Sequence, residues 1–292
     1  MTSASTSVPT AFGPRLRLRL RLPAILAAGT VGLEISYPLM RGQPRNAVII
    51  VTVVVFFLAS TTHSLVSRGA RWTALLVAVT AGGGFAVEAL GTRTGLPFGH
   101  YAYAGTLGPR LAGVPLVIPL AWTMMAYPAL VVARRLTSSP SRQALVAGWG
   151  LASWDLFLDP QMVAASRWRW LRAGTALPGV PDVPMGNYLG WLLAAVGMMV
   201  ALLVLPSSTA LRDFQPIAFA RTAAPSARGA WTSRQQDGRG TDDRVPYTLY
   251  LWTWASSVVA NLVFFARPAV AAWGGVAMGL VAVPLIRSLR RR

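Results

Sequence analysis

Residues 154–160 read Trp154-Asp155-Leu156-Phe157-Leu158-Asp159-Pro160, WDLFLDP, and lie inside an apolar run from about 143 to 165. About 20 apolar helical residues cross a hydrocarbon core about 30 Å thick, so this run reads as a membrane span carrying two carboxyls. Asp155 and Asp159 are four positions apart and share one helix face. An acid at the centre of a membrane helix costs about 2.5–3.5 kcal/mol on insertion scales, so such groups turn to a bundle interior or a wet cavity. Pro160 removes a backbone donor and obstructs the carbonyl of Leu156, which predicts a kink or a helix end beside Asp159.

Seven further apolar runs flank this one, and together the spans are 22–40, 47–66, 72–91, 112–133, 143–165, 187–205, 247–265 and 269–286. With 54% hydrophobic and 12% charged residues in 292, the chain is expected to be an all-α, polytopic membrane helix bundle of about eight spans. Positive loops stay on the cytoplasmic side. Placing both termini there puts 19 of the 27 arginines inside, at 15–21, 68–71, 134–142, 212–244 and 287–292. The expected organisation is a basic cytoplasmic tail over 1–21, six spans over 22–206, a mobile Arg/Ser/Gly/Pro-rich linker over 207–246, and two spans with a basic tail over 247–292. The opening RLRLRLRL alternates like a strand but reads as the positive flank of the first helix; a cleaved signal peptide is the rival reading.

Composition also excludes chemistry. The chain has no cysteine and no lysine, so thiolate metal sites, disulfides and lysine Schiff bases are ruled out. Two histidines, His63 and His100, are too few for a histidine-ligated metal centre without carboxylates. The net charge of +18 sits in short clusters between apolar runs, which membrane orientation explains without invoking nucleic acid.

In this topology spans one, three and five run in the same direction. Glu34, Glu88, Asp155 and Asp159 lie about 11 to 16 residues past their inner ends, roughly 17 to 24 Å along, in the outer half of the core. Asn261 on span seven falls at a similar level. Such a layer is either a site or a set of interhelical bonds and pairings with Arg93 or Arg110, and Glu34 is the acid most open to a structural role. Between spans three and four, EALGTRTGLPFGHYAYAGTLGPRLAGVPLVIPLAW (residues 88–122) is broken by Gly and Pro yet carries Phe98, Tyr101 and Tyr103. It reads as a lid folded onto the bundle, or as an interfacial aromatic belt. Trp168 and Trp170 in SRWRW read as belt residues, while Asn187 and Trp191 in MGNYLGW open span six on the same side.

The segments TGLPFGHYAY, LGPRLAGVPLVIPLAW, WDLFLDP and PMGNYLGW, in that order, resemble the CruF-type carotenoid biosynthesis proteins, which are integral-membrane carotenoid 1,2-hydratases. The resemblance covers roughly residues 88–191. It implies water addition across a terminal carbon–carbon double bond of an acyclic carotenoid, without a redox cofactor; the residues themselves give no reason to expect a metal. Expected partners are the carotenoid, water and the bilayer of the cell membrane, with room for association with other carotenoid-pathway membrane enzymes and with no nucleic acid.

The residues suit that chemistry on their own. Hydrating a trisubstituted alkene needs a donor able to make a tertiary cation, a tolerant environment and a positioned water. A carboxylic acid in low dielectric can keep its proton and donate it, and a neighbouring carboxylate can deprotonate the water. Asp155 and Asp159 are the expected acid/base pair, with Glu88 as a third catalytic candidate and Glu34 as catalytic or structural. Tyr101, Tyr103, Trp122, Trp154, Asn187, Trp191 and Asn261 are expected around the substrate, with aromatic faces stabilising the cation. A rigid polyene about as long as the bilayer is thick predicts a lateral groove capped by residues 92–110. The rivals are a UbiA-type prenyltransferase, since Asp155 and Asp159 form half of a magnesium-diphosphate apparatus, and a non-enzymatic transporter or carotenoid-binding scaffold.

Overall fold

The computed structural model describes residues 14–172, 174–205 and 242–291, with side chains from Arg21 onward. Among these residues the architecture is a bundle of eight helices: α1 (Pro14–Ser36), α2 (Gly42–Arg68), α3 (Ala70–Thr94), α4 (Val117–Leu136), α5 (Pro140–Ala164), α6 (Met185–Val204), α7 (Arg244–Val259) and α8 (Pro268–Arg290). They fall on the eight apolar runs. All but α5 and α7 are long and apolar enough by themselves to cross a membrane. Those two are less apolar along their length: α5 carries the buried Asp155 and Asp159, and α7 carries Ser256 and Ser257 before a π turn that holds Asn261.

The centre of the bundle is α4, buried along 78% of its apolar window and packed against α2, α3, α5, α7 and α8. Lipid tails are as apolar as leucine, so such contacts rest on close packing and interhelical hydrogen bonds. Pro128 on α4 cannot donate to the carbonyl of Met124 one turn back; the Ser60 hydroxyl of α2 donates to it instead, at 2.8 Å. Gly148 lets α5 and α6 approach closely, since a Cβ there would stand 2.5 Å from Val196 Cγ2. A π turn at Ala78–Gly82 interrupts α3, and there the Thr80 and Thr123 hydroxyls bond at 2.8 Å, tying α3 to α4.

The connections between helices at one end form three short ribbons. The first pairs β1 (Tyr101–Tyr103) with β4 (Trp168–Trp170), joining the α3–α4 connection to the α5–α6 connection. The others are β2 (Arg110–Leu111) with β3 (Val114–Pro115), and β5 (Ala176–Leu177) with β6 (Val180–Pro184). The Gly/Pro-rich segment thus folds onto the bundle end, anchored where Gly95, at φ +78°, closes α3 in the left-handed conformation.

Three expectations are sharpened. Of the kink and the helix end expected at Pro160, the end is ruled out: α5 runs on to Ala164 before Ser166, at φ +56°, turns the chain. The basic flank belongs to α1 from Pro14, so it prolongs the first helix. The expected linker lies outside the described residues up to 241, and α7 already begins at Arg244. Just before it, Asp243 bonds Arg68 of α2 at 2.9 and 3.0 Å.

Candidate active site

The site grows from the β1–β4 ribbon. Side chains alternate faces along a strand, so the patterns Tyr-Ala-Tyr and Trp-Arg-Trp each put two aromatics on one face. Antiparallel register sets Tyr101 opposite Trp170 and Tyr103 opposite Trp168. All four line a cavity at the end of the bundle, together with Glu88 from α3, Trp122 from α4, Asp159 from α5, and Asn187 and Trp191 from α6.

The carboxyls are buried, at no more than 4% exposure each, and each is met by directed donors. Glu88 accepts from the Tyr101 hydroxyl, from Tyr103 at 2.7 Å and from the Trp122 indole at 3.2 Å. Burial, reinforced by the adjacent Glu88, raises the ionisation of both phenols above the ordinary tyrosine value, so they remain protonated donors. Asp159 accepts from the Trp168 indole at 2.9 Å. The amide of Asn187 donates to Asp155 at 2.8 Å and also to Asp159, bridging the two acids that share a face of α5. Asp155 Oδ1 is buried without a hydrogen-bond partner. Among the described residues neither aspartate has a cationic partner; the ion pairs are Arg68–Asp243 and Arg244–Asp242.

Aromatic rings enclose the rest. Trp122 and Trp191 stack at 3.9 Å with planes 10° apart, Trp154 meets Trp191 edge-on, and Phe98 packs on Tyr101, Trp122 and Trp191. The cavity measures about 30 Å³, room for about two waters at a minimum of ~10–15 Å³ each. The ribbon's four aromatics line this space, which as it stands is too small for a carotenoid end group.

Of the residues expected at the site, Glu88, Asp159, Tyr101, Tyr103, Trp122, Asn187 and Trp191 meet at the cavity, with Asp155 and Trp154 one contact behind. Glu34 lies apart, on the seam between α1 and α7, where the Ser256 hydroxyl bonds it at 3.4 Å. Asn261 also lies apart, in the π turn after α7, with its amide donating to Ser257 O at 2.9 Å. Trp168 and Trp170 are not belt residues: Trp168 is buried and holds Asp159, while Trp170 donates to Phe98 O at 2.8 Å. Their alternation with Arg169, matched by Tyr-Ala-Tyr, was the available signal. Among the described residues no three His, Asp or Glu side chains gather as a metal's ligands would.

A membrane helix bundle that buries three carboxyls beneath aromatic rings at one end is an integral-membrane protein with an acidic, largely apolar pocket. Over residues 46–283 the chain matches the carotenoid biosynthesis protein family, and it belongs to that family. It is similar to the bisanhydrobacterioruberin hydratase of Haloarcula japonica, 34% identical over 116 residues. The aligned part covers 38% of this chain and 38% of that protein. No solved structure matches.

Proposed function

We propose that the protein is a hydratase that adds water across the terminal C1–C2 double bond of an acyclic carotenoid. The observation that carries this reading is that Glu88 and Asp159, from different helices, line one water-sized cavity walled by aromatic rings. Family membership and the hydratase relative support the same reaction class.

Two buried aspartates bridged by one amide, with no cation beside them among the described residues, are not both ionised in an apolar site, so they hold a proton between them. In our reading Asp159, which faces the cavity, delivers that proton to C2, and Asp155 sustains it from behind. The resulting tertiary cation at C1 lies against the rings of Trp122, Trp191 and the ribbon aromatics, whose faces attract positive charge. Glu88, met by three donors, serves as the anion that orients a water and takes its proton as the oxygen bonds C1. The double bond and one water become a tertiary alcohol. Passage of the proton from Glu88 back through cavity water to Asp159 restores the site.

The end group enters when the cap of residues 92–110 lifts, since the cavity of about 30 Å³ has room for little more than water. The polyene then lies among the helices, in a cell membrane that both termini face from the cytoplasmic side. Cysteines introduced at Thr106 and Arg244 should label from opposite sides; labelling from the same side would refute that orientation. The activity itself is tested by incubating purified protein with an acyclic carotenoid. A product heavier by one water supports hydration, whereas one heavier by a prenyl unit would move the assignment to a prenyltransferase.

A further inference from the structure

A second polar concavity lies near the active site, at the start of α2. It is an open cleft of about 340 Å³ lined by Gly42, Gln43, Arg45, Asn46, Ala165 and Arg167. Arg167 is buried, at 7% exposure, yet its Nε has no hydrogen-bond partner; its terminal nitrogen donates to Asn46 Oδ1. The Nε of Arg45 is likewise buried and unpartnered, while its guanidinium lies 4.4 Å over the Tyr37 ring and 5.4 Å from that of Phe265. Arg267 approaches the same Phe265 ring at 5.6 Å. Burial and the nearby Arg45 lower the ionisation of Arg267, as expected where cations crowd together.

Among the described residues none of these three arginines forms an ion pair with a carboxylate. The start of α2 adds to the same field. Its N-cap, Arg41, makes no side-chain cap hydrogen bond, and Gly42 and Gln43 of the first turn line the cleft, so the positive end of a 27-residue helix faces it. Helix N-termini joined by guanidinium groups bind phosphate through fixed N–H donors and net charge. Leu39, 70% exposed, stands just before this turn and offers an apolar surface beside the charge.

We propose that this cleft is a phosphate-binding site that takes the phosphodiester headgroup of an anionic membrane lipid, with Arg45 and Arg167 as its cationic ligands. The headgroup supplies the missing countercharge and the acyl chains run past Leu39. Arg167 immediately precedes Trp168, the donor to Asp159, so occupancy also fixes the base of the ribbon that covers the active site.

Native mass spectrometry of the full-length protein in detergent, titrated separately with phosphatidylglycerol, phosphatidylcholine and inorganic phosphate, tests the site. Phosphatidylglycerol should be retained in preference to phosphatidylcholine, and Arg45→Gln or Arg167→Gln should each weaken it about tenfold, the scale of one lost charge-assisted hydrogen bond. Arg244→Gln, a change at the exposed opposite end, should leave retention unaltered. Displacement of the lipid by inorganic phosphate alone would identify soluble phosphate as the ligand while upholding the site. Equal retention of the two lipids, or retention unaffected by Arg45→Gln, would overturn the proposal. Arg45 is only half-buried, so that variant decides the matter even if Arg167→Gln fails to fold.

Discussion

Trp168 and Tyr103 face each other across the β1–β4 ribbon, edge to face at 5.6 Å, and each holds a different carboxyl: Trp168 binds Asp159 and Tyr103 binds Glu88. One ribbon therefore grips both cavity acids, and lifting it would strip donors from both at once. Trp168→Phe keeps most of the ring and removes one donor to a carboxyl, worth about 1.5–3 kcal/mol. Turnover should fall roughly ten- to a hundredfold by that measure. Unchanged turnover in a steady-state assay would detach the ribbon from the chemistry.

Asn187 donates to both aspartates. Asn187→Leu, close in shape but without the amide, should leave the two buried carboxyls with only the Trp168 donor between them. We expect a loss of turnover of at least a hundredfold, from two hydrogen bonds of the strength above. A melting temperature within a few degrees of the parent would assign that loss to the site rather than to unfolding.

The phenols of Tyr101 and Tyr103 ionise above the ordinary value. Unfolded tyrosine ionises near pH ~10, so the neutral phenols contribute stability that is fully present below that pH. This stability is lost as pH rises from there toward the folded-state values. Melting curves from pH 8 to ~11 should show the parent losing more stability over the upper part of that range than the Tyr101→Phe/Tyr103→Phe double variant. Parallel curves would contradict the assignment.

Gly190 of α6 lies directly beneath the segment between α3 and α4, where an added Cβ would stand 2.7 Å from Pro97 O and 2.9 Å from Phe98 Cδ1. Backbone cannot yield as a flexible side chain does. Gly190→Ala should raise the segment that carries Phe98 and Tyr101, destabilise the protein by about 1–3 kcal/mol and slow turnover. Limited proteolysis should cut the variant first between α3 and α4; cleavage at the parental rate would show the contact to be slack.

Hydropathy made the eight helices legible: six are long and apolar enough by themselves, and the runs at 143–165 and 247–265 stand out only beside them. The grouping of Glu88 with Asp159 was also legible through a shared depth along parallel spans. Depth is only one coordinate, however. Glu34 stands at a comparable level, yet α1 packs against α2 and α7 and carries it to Ser256 instead. Pro160 left a kink and a helix end both open, because the ring removes one donor either way; α5 runs on through it, and Arg267 donates to Pro160 O at 3.4 Å. The role of Trp168 was hidden for a different reason. Tryptophan flanked by arginine is also how a membrane-interface belt looks, and only the long-range pairing of residues 101–103 with 168–170 separates the two meanings.

The central claim is that Asp159 gives a proton to the substrate while cavity water supplies the oxygen. Its most direct test is the product formed from an acyclic carotenoid in heavy-oxygen water and, separately, in deuterium oxide, by the parent and by Asp159→Asn. The parent should yield an alcohol carrying one heavy oxygen in the first case and one non-exchangeable deuterium on carbon in the second, and Asp159→Asn should yield almost none. Near-parental yield of the labelled alcohol from Asp159→Asn, or a parent product without the heavy oxygen, would contradict it.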